Sequence, residues 1–182
     1  ISANHSPSER IEMSLNNYEK LKAAIHYICE KASGKDSLDH IKLNKILWYS
    51  DVQAYMALGV SITGERYIKK PFGPVTQKNK VAVTDLQNDG AIKSGKSPND
   101  SGYWQTRLDV LQEADTNLFT GEELKILDEM IKYVLGKPST GPRGISEQTH
   151  GEIWELAEDG EQVPLYTVFA ETIGTNTPLH IR

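Results

Sequence analysis

Residues Lys42–Val75, KLNKILWYSDVQAYMALGVSITGERYIKKPFGPV, decide how this chain folds. The first half predicts a helix from about Asp39 to Leu58. Leu43, Ile46, Leu47, Ser50, Ala54 and Ala57 line one side, and Trp48, Val52 and Tyr55 lie on adjoining faces. Such a helix is apolar around more than half its circumference, so it is either central or carries an interface. Gly59 ends it. Ser61–Lys70 reads as a turn with a brief extended piece. Pro71 and Pro74 then bracket Phe72 and Gly73. Proline pushes its predecessor out of the α region and is welcome in a first helical turn, so Gly73-Pro74 is expected to bend the chain and open a third helix.

Working outward, Leu21, Ala24, Ile25, Ile28 and Cys29 recur at helical spacing and predict a helix over 17–32. The third helix would turn Val75, Ala82, Val83 and Leu86 inward and close at Asp89-Gly90. Ala91–Lys93 and Tyr103–Leu111 predict an antiparallel hairpin at 91–111 with a mobile tip over Ser94–Gly102. Trp104, Thr106, Leu108 and Val110 alternate with Tyr103, Gln105, Arg107 and Asp109 along its second strand. Residues 120–135 carry a capping box, Thr120 with Glu123, and Phe119 as a staple against Leu124. A last helix is expected over 146–158, with Ile153, Trp154, Leu156 and Ala157. The segment from Val163 reads as extended or irregular, with a further helical turn at Tyr166–Thr172. The fold class is therefore mainly α (α+β): one compact domain over 14–182, about five helices and one hairpin. Residues 1–13 read as a flexible or cloning-derived leader.

Composition narrows the class. The chain has 182 residues, 38% of them hydrophobic and 25% charged, enough for a real core in one domain. A net charge of −5 argues against a general nucleic-acid coat protein. No apolar run reaches the ~18–20 residues of a membrane span. Cys29 is the single cysteine, so no intrachain disulfide forms; its place on an apolar helix face makes it structural. A cytoplasmic location fits.

The order of these pieces resembles the SocA-like Panacea domain family. Lys42-Leu43-x-Lys45-Ile46-Leu47-Trp48-Tyr49 is similar to the family's KLxKLLYF-type helix. Gly59 and Ile62 fall at its Gly-x-Pro-Leu-like turn, without the usual proline. Tyr67 and Lys70 lead to Phe72-Gly73-Pro74-Val75, which matches its aromatic-Gly-Pro-Val corner. Ser146, His150 and Trp154 are similar to its final helix, and Val163-Pro164-Leu165 to the piece beyond. The resemblance covers most of 17–166. It implies an antitoxin that neutralises a toxin protein by direct contact or delivers it to a protease, with no cofactor and no catalysis.

Two readings attach to the aromatic residues. In one, Phe72 fills the core and Gly73 gives close backbone approach; in the other, Tyr67, Lys70 and Phe72 border a groove for a partner segment. Trp48, Tyr49 and Tyr55 are core residues in the first and binding residues in the second. His150 with Glu147 and Glu152 lacks the ligand spacing of a zinc site and any paired nucleophile, and reads as structural. There is no Walker loop, dinucleotide fingerprint or serine elbow to suggest an enzyme. The alternative function is a winged-helix-like DNA-binding regulator. Between Arg66 and Lys96 seven basic residues face two acidic ones. A helix from Pro74 followed by the hairpin would supply recognition helix and wing, with Lys69, Lys78, Lys80, Lys93 and Lys96 as contacts. No arginine cluster offers bidentate guanine contacts.

Overall fold

The computed structural model describes residues 5–34, 38–98, 102–147 and 155–167. Within them lie α1 (Pro7–Ala32), α2 (His40–Leu58), β1 (Tyr67–Lys70), β2 (Gly73–Thr76), α3 (Asn79–Asn88), β3 (Ile92–Pro98), β4 (Trp104–Val110) and α4 (Gly121–Leu135). The fold is mixed α+β and mainly helical, as expected. Two antiparallel hairpins stand where one was expected, β1–β2 and β3–β4.

The helix α2 sits at the centre. It packs against α1, α4, β2 and β4, which is why residues on every side of it are buried from Lys42 to Val52. Its ends follow from local chemistry. The Asp39 side chain accepts the Lys42 backbone N–H, and Gly59 takes the left-handed conformation at φ 79° that a helix C-terminus favours. On α4, Thr120 caps the Glu123 N–H at 3.2 Å. The Glu123 carboxylate does not close the expected box: it reaches across to Lys20 at 2.5 Å and ties α4 to α1. Leu127, Ile131 and Val134 form the buried stripe, with Phe119 and Leu124 partly buried against the core.

Helix α1 begins ten residues before the expected Asn17 and takes in Pro7–Met13 of the stretch read as leader. A full capping box starts it. Ser6 Oγ accepts the Glu9 N–H, and Glu9 accepts the Ser6 N–H at 2.7 Å, with Pro7 in the first turn. The apolar pattern fades there because residues 7–13 are exposed.

The Gly73-Pro74 corner is the main correction. Gly73–Thr76 is a strand, not a helix start; α3 begins at Asn79. Lys70 pairs with Gly73, so Pro71 and Phe72 form the tip of a two-residue hairpin. Gly73 sits at φ 113°, where a side chain would be strained. Pro74 is tolerated because its partner Lys69 donates the other way, to the Glu161 carbonyl at 2.8 Å. The segment 160–163 completes that side: Gly160 N–H reaches Lys69 O at 2.9 Å and Val163 N–H reaches Tyr67 O at 2.8 Å. The extended reading of Val163 holds. The expected last helix falls largely on 148–154, which lies outside the described residues. So do residues 99–101 of the hairpin tip and 168–172 of the terminal turn. In the second hairpin β3 extends to Pro98, well beyond the expected Lys93. Leu108 is buried as expected, whereas Trp104, near the tip, is 72% exposed.

What locks the first hairpin to α2 is a buried acid. Asp51, fully inaccessible, accepts four hydrogen bonds: from Ile62 N–H at 2.8 Å, Thr63 N–H at 2.9 Å, Thr63 Oγ1 at 2.5 Å and Tyr67 hydroxyl at 2.7 Å. Burial raises its pKa above the ordinary carboxylate value, and the four donors pull it back. Trp48 packs edge-on to Tyr67, with ring centroids 4.9 Å apart, and seals the network from solvent. Removing one side of such a network leaves buried donors unsatisfied. Asp51→Ala is therefore expected to lose roughly 3–5 kcal/mol in urea unfolding, and Asp51→Asn, which keeps one acceptor oxygen, clearly less. Equal losses for the two would mean that the hydrogen bonds are not what matters.

Candidate functional site

Six residues were expected to bear on a partner, and the structure divides them. Trp48, Tyr49 and Tyr67 are 6%, 4% and 1% exposed. Tyr49 packs edge-on against Tyr133 of α4 at 5.7 Å, so it joins two helices. Tyr55, Lys70 and Phe72 retain surface. Phe72 is 55% exposed at the hairpin tip, which overturns the reading in which it fills the core. Lys70, at the end of β1, pairs with Asp159 at 3.6 Å. Tyr55, near the end of α2, lines a groove of about 520 Å³ with Met13, Val60, Leu165 and Tyr166. Met13, Val60 and Tyr166 are exposed apolar or aromatic residues there, so the groove has a greasy rim.

The motif residues split the same way. Leu43 is fully buried and Lys42 nearly so; Gly73, Pro74 and half-buried Val75 shape the hairpin. Lys45, 1% exposed, sends its ammonium to the Phe72 carbonyl and thereby ties the hairpin tip to α2. Ser146 is buried, and His150 and Trp154 lie outside the described residues. Cys29 is fully buried, and burial pushes its thiol up to about 12, which keeps it protonated and inert at neutral pH.

The basic residues proposed for nucleic acid are not equally available. Lys69 donates to the Glu155 and Ala157 carbonyls, at 3.3 Å and 2.8 Å. Lys78 pairs with Glu65 at 3.6 Å and lies over the Tyr18 ring. Lys80, Lys93 and Lys96 are exposed. The helix that would read a groove starts at Asn79 rather than Pro74, and it contributes one of those three lysines.

Sequence reasoning passed over Asp51 and did not single out Lys45. A signal existed for both. Asp51 has Leu47, Trp48, Ala54 and Tyr55 three and four positions away, and Lys45 has Ile41, Trp48 and Tyr49, so each sits on an apolar face, where a charge must find internal partners. Among the described residues no group of His, Cys, Asp and Glu is arranged to hold a metal ion.

Burial lowers the Lys45 pKa from its ordinary 10.5 to about 7. Between those values the unfolded chain holds a proton that the folded chain lacks, so this residue makes stability rise with pH from about 7 towards 10.5. Below that window both states are protonated and the contribution is flat. The difference in unfolding free energy between wild type and Lys45→Met is expected to grow across the window, by at most about 1.4 kcal/mol per pH unit. A pH-independent difference in urea midpoints would show that Lys45 keeps an ordinary affinity for its proton.

The family model described as antitoxin SocA-like, Panacea domain, matches residues 43–155. That span runs from the start of α2 through both hairpins and α4, and so includes the Asp51 and Lys45 networks. No curated protein and no solved structure matches the chain. With more than half of its length matched, and with the signature residues building the junction between α2 and the first hairpin, the chain belongs to the SocA-like Panacea antitoxin family.

Proposed function

We propose that this protein is an antitoxin that neutralises a toxin protein by direct contact. The observation that carries the reading is the family match over 43–155. The surface offered for that contact is the exposed hairpin tip at Phe72 with Lys70 beside it, and the apolar groove at Tyr55. Exposed aromatic anchors on rigid supports supply most of the energy in protein interfaces. The exposed lysines between 66 and 96 would steer an acidic partner towards this face. No catalytic step and no cofactor enter this reading. Among the described residues no helix is long and apolar enough to cross a membrane, and the cytoplasm is the proposed compartment. Delivery of the toxin to a protease is the extended form of the same reading: the toxin's half-life would then shorten in the antitoxin's presence. The DNA-binding alternative is weaker, because two of its five lysines already serve contacts within the chain.

The test is co-expression with the product of the neighbouring reading frame, scored by growth and by co-purification. Phe72→Ala is expected to weaken toxin binding at least tenfold, about 1.4 kcal/mol, with the melting temperature little changed. Trp48→Ala is expected to lower the melting temperature sharply, as a buried tryptophan truncation costs roughly 3–5 kcal/mol. Full toxin neutralisation by Phe72→Ala would remove the hairpin tip from the interface. Duplex binding that falls steeply with salt would favour the DNA alternative.

A further inference from the structure

On a different face, the ends of α1 and α4, the start of α2 and the outer edge of β4 enclose an open cleft of about 1620 Å³. It exceeds the roughly 300–1,000 Å³ of small-molecule pockets and has room for a length of polypeptide. Its charge is one-sided. Lys31, Lys42, Lys132 and Lys137 line it, with Arg107, which pairs with Asp109 at 2.7 Å, against two carboxylates, Asp39 and Asp128. Both carboxylates are engaged: Asp39 takes the Lys42 N–H at 2.8 Å and the Ser139 hydroxyl at 2.5 Å, and Asp128 takes the Tyr27 hydroxyl at 2.7 Å. Lys42, 7% exposed, is the least exposed of the five cations. A cleft with this surplus of cations, in a chain of net charge −5, suits an anionic occupant from outside. Ile131 and Leu135 give the cleft apolar lining.

The remaining wall is a strand edge. Leu108 sends its N–H away from β3 to the Leu38 carbonyl, at 2.9 Å. In an antiparallel ladder the next residue but one faces the same way, so the Thr106 N–H and C=O also point outward. Trp104, two residues further, lies opposite Pro98, which has no N–H to give, in keeping with the same alternation. After Leu38 the chain turns into α2, and no described residue bonds the outward groups of Thr106. We infer that this cleft takes an extended acidic segment of the partner protein, which adds as a strand to β4 beside Thr106 and places its carboxylates on Lys42 and Lys132. Backbone pairing supplies register and the lysines supply selectivity. The inference rests on the antitoxin reading for the identity of the partner, not for the chemistry of the cleft.

The probe is a fluorescein-labelled octapeptide of alternating glutamate and valine, added to the full-length protein without any toxin. Binding is expected, weakened at least tenfold by Lys132→Glu with Lys137→Glu and weakened likewise when alternate peptide nitrogens are methylated. Lys125→Glu, an exposed residue of α4 outside the cleft lining, is expected to change affinity less than twofold. Hydrogen exchange at the Thr106 amide is expected to slow when peptide is present. The proposal is overturned by absent binding, by equal effects of Lys125→Glu and the cleft variants, or by a Thr106 amide already protected without peptide. It is also overturned if a single-stranded oligonucleotide displaces the peptide with comparable affinity. Growth rescue with no peptide binding would sink this inference alone; peptide binding without any rescue would sink the antitoxin reading alone.

Discussion

A carboxylate inside a protein must be surrounded by donors or give up its charge, and Asp51 is surrounded. Its two oxygens collect two backbone N–H groups, a threonine hydroxyl and a tyrosine hydroxyl, all from residues 62–67. That segment carries the chain from the end of α2 into β1. Without the acid its amides would have neither water nor a partner, and the path from helix to hairpin would not be fixed. Close packing at Gly64 follows from the same path: a side chain there would meet that of Asn17 at 2.7 Å, and Asn17 instead donates to the Gly64 carbonyl. One buried charge thus sets the spacing between α1, α2 and the first hairpin. Lys45 secures the far end of that hairpin, so its two ends are held from the same helix by groups of opposite sign.

This arrangement explains what the family signature encodes. Its lysine-rich helix and its aromatic-Gly-Pro-Val corner are the two halves of a junction. Leu43, Ile46, Leu47 and Trp48 fill the core, and Gly73 and Pro74 shape a strand against them. The exposed member, Phe72, sits where the junction meets solvent.

The helices were legible because their information is local. Asp39 and Gly59 bound α2 within one residue of the expectation, and the stripe and cap of α4 lie where periodicity put them. The first hairpin was not legible, and the reason is specific. Gly-Pro suits a first helical turn and an edge strand alike. What decides between them is the Lys69 N–H bonding to Glu161, a contact far away along the chain. The start of α1 was missed because its first two turns are exposed and show no apolar period, although Ser6-Pro7-Ser8-Glu9 is a complete start signal. For the candidate site, the aromatic residues were visible but their burial was not: Trp48 and Tyr55 differ in exposure because of what packs on α2, which composition does not disclose.

The Pro71–Phe72 tip is held by more than its own strands. The Lys45 ammonium grips its carbonyl from beneath, and residues 160–163 flank β1 on the other side. A loop end anchored in this way has already surrendered most of its backbone freedom when the protein folds. Any molecule that seats against it meets a surface with little left to order, and so loses less entropy on association than it would against a loose loop. Tightness there would show itself as slow departure rather than fast arrival.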